Sequence, residues 1–216
     1  MGLLEHGTKQ ADRSDPSSKT ILSFDLFPDQ KLHLQLLSGV STPHKAASQI
    51  SSTRFSLLDA HRIVSIGHVA IAAQHALLRT KNMKLTMENS NGNNKNQRSL
   101  AMETIVCAGG SSHVGNVLRD FAFLEKKDTN KNEGNDFAVL VLGWNCTEIE
   151  MTNFVNEIIR EGEGRPTPLS YLSRVRTKEE ETDLIKTFKL MKEDIDAESS
   201  SLELAIITRV ATKYML

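Results

Sequence analysis

The sequence predicts a single α+β domain with a mixed, mostly antiparallel sheet covered by helices. An early segment alternates apolar and polar residues with the period of two that is typical of strands. Several later segments place apolar residues at helical spacing, some of them behind Ser or Thr caps. The chain has 216 residues, of which 39% are hydrophobic and 25% charged, so it is long enough to form one buried core.

Polar segments separate this domain from its extensions. Residues 1–18 are polar and predict a disordered tail, which leaves 19–216 as the domain. Flexible loops are expected near 86–97, which contains five asparagines, and near 126–135.

The first half of the domain predicts a hairpin, two short elements and a buried helix. The hairpin has its turn at Phe27–Gln30, and its leucines fall on one face while polar residues make the other face wet. Thr42-Pro43 predicts a short helix that reaches about Ile50, and Phe55–Leu58 predicts a strand. Residues 68–79 are dense in apolar side chains and predict a helix buried on most sides.

The second half predicts two strands and several capped helices. Met102–Cys107 predicts a strand, after which the glycines and serines of 109–112 turn into a helix with a serine N-cap. Phe137–Leu142 is continuously apolar, as a strand buried on both faces would be. Further helices are predicted by the caps at Thr147, at Thr177 with Glu180, and at Ser199–Ser201, the last ending near Tyr214.

Composition and motifs argue against several functional classes. The formal net charge of −1 provides no global basic field for nucleic acid, and no apolar run approaches the roughly 20 residues that span a bilayer. Cys107 and Cys146 lack metal-ligand spacing, which favours reduced thiols in a cytosolic or nuclear protein. Walker-type phosphate loops, GxSxG and HExxH are absent from the sequence, so we expect a protein without catalytic residues, cofactor or metal.

A basic stretch is the first candidate site. Few acids interrupt it, and Lys and Arg clusters neutralise the phosphates of nucleic acids. A solvated helix end would have the same composition. The residues concerned are Arg79, Lys81, Lys84, Lys95 and Arg98.

The C-terminal helix is the second candidate, because it carries two apolar faces where a surface helix needs one. Leu202, Ala205 and Ile206 form one face. The other consists of Leu204, Ile207, Ala211 and Met215. Either the helix is buried within this chain, or its second face docks on a partner.

The order of several segments resembles the kinase-binding subunits of the KEOPS (EKC) tRNA-modification complex, the TPRKB family. The similar segments span about residues 20–216, and the Asn-rich loop is an insertion relative to the family. They are Asp25–Pro28, Met83-Lys84, Arg98–Ile105, Ser111–Phe121, Phe188–Leu190 and Ala205–Leu216.

The resemblance implies a function. Members of that family bind and support the PRPK-type kinase/ATPase of the complex, contact its other subunits indirectly, and help to hold tRNA, with the 3′ end as the contact. The complex makes threonylcarbamoyl-adenosine beside the anticodon, and the members of this family are not enzymes. On this basis we expect a nuclear and cytoplasmic subunit that binds the kinase through Leu204, Ile207, Ala211 and Met215. The expected tRNA contacts are Arg79, Lys81, Lys84 and Arg98.

Two alternatives stay open from the sequence. The same helix would serve a kinase-binding adaptor or regulator that acts outside tRNA modification, and such a protein would not need the basic stretch. The other alternative is a small enzyme with an unrecognised site, and a deep pocket with converging polar groups would favour it.

Overall fold

The computed structural model describes residues 18–43, 47, 54–88, 98–109, 111, 113–123, 137–196 and 201–213. Most of the predicted tail, residues 89–97 of the Asn-rich loop and the whole loop at 126–135 lie outside these ranges. So does most of the short helix predicted from Thr42 to Ile50. Ser18, the last residue assigned to the tail, is described and is buried.

The described strands form one antiparallel sheet, which confirms the α+β class. Its order is β1-β2-β4-β3, and β5 pairs with β2 next to β1. The strands are β1 (Lys19–Phe24), β2 (Phe27–Val40), β3 (Phe55–Asp59), β4 (Phe137–Trp144) and β5 (Arg165–Pro166).

Helices cover both faces of this sheet. Among the described elements, two short 3-10 helices, Ala60–Arg62 and Leu169–Ser173, lie between the longer ones. The α-helices are α1 (Ile66–Glu88), α2 (Leu100–Ala108), α3 (Val114–Phe121), α4 (Glu148–Gly162), α5 (Lys178–Phe188), α6 (Lys192–Asp196) and α7 (Leu202–Thr212).

The sheet divides the core into two apolar layers because side chains alternate across a strand. Leu34 of β2 belongs to the larger layer, which also receives side chains from α1, α2, α3, α5 and α7. Leu37 of the same strand belongs to the smaller layer, which α4 covers with Met151, Val155 and Ile158. The predicted burial of β4 on both faces is confirmed, since Ala138 to Gly143 are all buried.

The face of β2 that was expected to be wet is covered instead. His33 and Gln35 alternate with the leucines as predicted, yet both are buried. The first turns of α4 lie across them, and together these residues line one shallow cleft. The sequence could not show this because α4 is distant from β2 along the chain.

The hairpin turn was predicted too late in the chain. Phe27–Gln30 are part of β2, and the turn is formed by Asp25 and Leu26. The register shifts after Ser23, and Phe24 pairs directly with Phe27. Pro28 favoured the prediction of a turn at this position. A proline is nevertheless tolerated near the end of a hairpin strand, where ladder hydrogen bonds are not required.

The segment Met102–Cys107 is helical rather than a strand. Ser99 caps α2 by accepting a hydrogen bond from the amide of Met102 at 3.2 Å. Most of α2 is buried, so its apolar residues do not follow the period of a surface helix. A short apolar run of this kind does not distinguish a buried helix from a buried strand.

The cap of α3 also differs from the prediction. His113 occupies the N-cap position without a side-chain hydrogen bond, and Ser111 accepts from the amide of His113 instead. Gly109 is required before this helix because a Cβ there would lie 2.5 Å from Cγ1 of Val117.

The remaining helix predictions are confirmed at their caps. Thr147 and Thr177 both form complete capping boxes, and Ser201 caps α7. Helix α1 extends further than predicted, to Glu88, so residues 86–88 are helical rather than part of the loop.

Candidate docking helix and cationic surface

Helix α7 is anchored to the protein by one of its two apolar faces. Ser201 accepts a hydrogen bond from the amide of Leu204 at 3.3 Å and starts the helix. Ala205, Ile206 and Val210 are buried in the larger core layer, where α7 packs on α1. Burial of this face explains one of the two apolar stripes that the sequence contains.

The second face of α7 is only partly covered. Leu204 is 49% exposed, whereas Ile207 and Ala211 are half-buried. Cδ1 of Ile207 lies 3.7 Å from the position that a Cβ would take on Gly67, so Ile207 leans on the first turn of α1. Met215 lies outside the described residues. Leu204 is therefore the described member of this face that is best placed to contact a partner.

A groove runs beside Leu204. Its volume is about 320 Å³, and Leu190 and Asp194 form the wall opposite α7. Met191, next to Leu190 in the chain, is 68% exposed. Sequence reasoning missed this groove because its far wall comes from α6 and the loop before it, which carry no periodic signal. The remaining lining residues belong to α7 and are Ala205, Thr208, Arg209 and Thr212.

Two residues of the basic stretch converge on one buried carboxylate. Nε of Arg98 donates to Oε2 of Glu103 at 2.8 Å, and Nη1 of Arg79 lies 3.1 Å from Oε1. The Glu103 side chain is only 3% exposed, whereas the side chains of Arg79 and Arg98 are 28% and 33% exposed. The structure thus brings Arg79 and Arg98 together, and sequence reasoning missed the acid that joins them.

The other two predicted tRNA contacts are placed less completely. Lys81 is exposed on α1, and its Nζ lies 5.6 Å from the ring centroid of Phe27, as in a cation–π contact. The backbone of Lys84 belongs to α1, but its side chain lies outside the described residues, as does Lys95.

Lys213 connects α7 to α2. Its Nζ donates to the carbonyl of Val106 at 3.1 Å and to that of Gly109 at 2.7 Å, which places a cation at the C-terminal end of α2. A helix C-terminus favours positive charge and leaves carbonyls that need donors. Burial nevertheless lowers the pKa of Lys213 to about 8. The sequence shows a lysine near the end of α7 but not its partners.

His68 is a core histidine rather than a metal ligand. Its Nε2 donates to the carbonyl of Ala108 at 2.9 Å, and burial lowers its pKa to about 4, so the ring is neutral. Within the part of the chain that the structure describes, no group of three or more His, Cys, Asp or Glu side chains is arranged to hold a metal. None of the described helices is both long and apolar enough to cross a membrane.

These features define a protein with an α+β scaffold, a partly uncovered apolar helix and a nearby pair of arginines. Apolar side chains and arginines are both enriched in the contact surfaces of proteins. The family model described as kinase binding protein CGI-121 matches residues 29–214. The chain belongs to this family, which is the TPRKB family named above. A comparison with curated proteins found no match.

Proposed function

We propose that this protein is a non-catalytic subunit of the KEOPS complex that binds the PRPK-type kinase and helps to recruit tRNA for threonylcarbamoyl-adenosine formation. Membership of a kinase-binding family is the observation that carries this proposal. The complex would act in the nucleus and the cytoplasm, and its other subunits would contact this chain through the kinase.

The outer face of α7 is the surface we assign to the kinase. Leu204 is the exposed apolar side chain on this helix, and it adjoins a groove whose opposite wall is formed by Leu190 and Asp194. Protein interfaces combine an apolar centre with a polar rim, and the charged side chains of Asp194 and Arg209 at the same groove supply such a rim. A helix of the kinase that lies along α7 would cover Leu204 and remove this apolar area from water.

The basic side chains of α1 and of the segment before α2 are the surface we assign to tRNA. Lys81 is exposed and Arg98 is one third exposed, so both are available to phosphate oxygens. Because the chain has a formal net charge of −1, such binding depends on local charge rather than on the field of the whole protein. No stacking of bases on aromatic side chains is needed, and we expect contacts to the tRNA backbone near the 3′ end.

The kinase proposal is tested by recovering the tagged protein from extracts of its own cells and identifying what accompanies it by mass spectrometry. We expect a PRPK-type kinase together with the other KEOPS subunits. Recovery of that kinase without those subunits would favour the adaptor that acts outside tRNA modification. Recovery of neither would contradict the assignment.

The tRNA proposal is tested by the salt dependence of binding. Replacing Lys81 and Lys84 with Gln removes two cations, so the slope of log K against log salt should become shallower by about 0.7–0.9 for each phosphate that is no longer neutralised. The matched control replaces the exposed Lys178 and Lys186 of α5 with Gln, which changes the net charge equally. Equal slopes for the two double variants would show that this surface does not contact tRNA.

A further inference from the structure

Glu103 is the one buried acid in an otherwise mostly apolar helix. It lies in the first turn of α2, and Arg79 reaches it from α1 while Arg98 reaches it from the residues just before α2. A buried carboxylate is costly unless cations and hydrogen bonds compensate it. One arginine would be enough to neutralise its charge, so the second arginine needs a separate explanation.

The geometry around the carboxylate is asymmetric. Arg98 makes an aligned hydrogen bond to Oε2, but Oε1 accepts no hydrogen bond from a described residue, even though Nη1 of Arg79 is 3.1 Å away. Arg79 therefore contacts the carboxylate as an ion pair without an aligned hydrogen bond, which is not the geometry that would stabilise the fold most. The charges of these three side chains, two arginines and one carboxylate, sum to +1, and Lys213 is a further cation that interacts electrostatically with both Arg79 and Glu103.

An excess of positive charge around a buried acid is suited to an additional anion. Arginine guanidinium groups bind phosphate through two donors at once, which requires a fixed orientation. The buried carboxylate holds Arg98 through a hydrogen bond from Nε and attracts Arg79 through an ion pair, and both contacts reduce the side-chain entropy that phosphate binding would otherwise remove. The same carboxylate lowers the total positive charge, so its benefit to RNA binding can come only through orientation.

We propose that Glu103 is a positioning residue that holds Arg79 and Arg98 as a paired site for a backbone phosphate of RNA. This inference rests on the proposed tRNA-binding function, and it identifies which chemical group of the tRNA this part of the surface binds. Glu103 itself does not touch the phosphate.

The sign of one substitution separates positioning from simple charge. Glu103→Gln keeps the size of the side chain and makes the surface more positive by one charge. If Arg79 and Arg98 act only as charges, this variant should bind tRNA more tightly. If Glu103 positions them, the variant should bind about 5- to 10-fold more weakly in spite of its added positive charge, because charge-assisted contacts depend on geometry.

A second variant tests the same site without removing the buried acid. Arg98→Lys keeps the charge but lacks the planar guanidinium, and Arg98 is partly exposed and outside the helix core. The positioning role predicts that Arg98→Lys also loses about 5- to 10-fold in affinity, because the fork geometry of the guanidinium is what the phosphate binds. Simple charge predicts no change. If Glu103→Gln does not fold, unchanged binding by Arg98→Lys still refutes the proposal.

The experiment measures binding of a fluorescently labelled tRNA transcript by anisotropy, with the chain alone and with the chain bound to its kinase. Thermal unfolding shows that each variant is folded at the assay temperature. Kinase affinity is measured as well, because a general structural defect would change it and a loss of positioning would not. Weaker tRNA binding by both variants, with kinase affinity unchanged, supports the proposal.

Two results would overturn it in distinguishable ways. The first is tighter binding by Glu103→Gln, or unchanged binding by Arg98→Lys. If the Lys81 and Lys84 double variant still loses affinity, such a result would refute only the positioning role. Absence of salt-dependent binding by the wild-type chain in both states would remove the proposed tRNA surface and the positioning role with it.

Discussion

Replacing Leu204 with Glu should separate kinase binding from folding. Leu204 is 49% exposed, so about half of its surface area can still be removed from water when a partner docks. Complete burial of a leucine contributes about 1.5–3 kcal/mol, which leaves about 1 kcal/mol for docking, or about a 5-fold change in Kd for Leu204→Ala. Glu adds an unpaired charge in the interface, which raises the total loss to about 3 kcal/mol or more, roughly 100-fold or more in Kd.

The assay is calorimetric titration of the purified cognate kinase with each variant. Ile149→Glu is the matched control, because Ile149 is 73% exposed on α4, which covers the opposite face of the sheet from α7. The free energy of unfolding of both variants should lie within about 1 kcal/mol of the wild-type value, as is usual for surface substitutions. A folded Leu204→Glu protein that binds the kinase with wild-type affinity would refute the assignment of this face, and equal losses in both variants would refute its specificity.

Two titratable groups with lowered pKa values predict how stability changes with pH. The pKa of His68 is about 4 in the folded protein and about 6.5 in the unfolded chain, so the unfolded chain binds more protons and stability should fall as pH drops from 6.5 toward 4, by at most about 3 kcal/mol. Urea unfolding across this range should show a weaker decline for His68→Gln than for wild type, and an equal decline would exclude His68 as the cause. The lowered pKa of Lys213, about 8 against 10.5, means that stability should rise between pH 8 and 10.5, and chemical unfolding of Lys213→Met should lack that increment. The same rise in the variant would show that other groups produce it.

The helix starts that the sequence predicts correctly are those whose signals are local. Thr147 and Glu150 are three residues apart, and the reciprocal hydrogen bonds of their capping box form within that interval. The same holds for Thr177 and Glu180. Such pairs compensate amides that any helix leaves without partners, so they indicate a helix start in every tertiary setting.

The predictions that were wrong depend on contacts between distant segments. Helix α2 is surrounded by other elements, so most of its side chains are apolar and the helical period disappears from Met102–Cys107. The burial of His33 has the same origin, since it is covered by α4, which lies more than 100 residues further along the chain. In both cases the sequence pattern was interpreted as a local property, an apolar run in one and a polar face in the other. The structure shows that it depends on elements distant in the chain, whose positions the sequence does not reveal.

The sequence identified residues of both candidate surfaces but not the distant residues that contact them. The composition of the basic stretch identified Arg79 and Arg98, but the acid that joins them lies in α2, in a segment that the sequence predicted as a strand. The apolar positions of α7 identified Leu204, but not Lys213, which fastens the end of that helix to the last carbonyls of α2. Helix α2 therefore holds Glu103 in its first turn and receives Lys213 at its C-terminal end, so it is the element that fixes both the arginine pair and the end of the docking helix. A substitution that distorts the backbone of α2 should consequently affect both surfaces together, whereas side-chain changes at Glu103, Leu204 or Lys81 should each affect one surface.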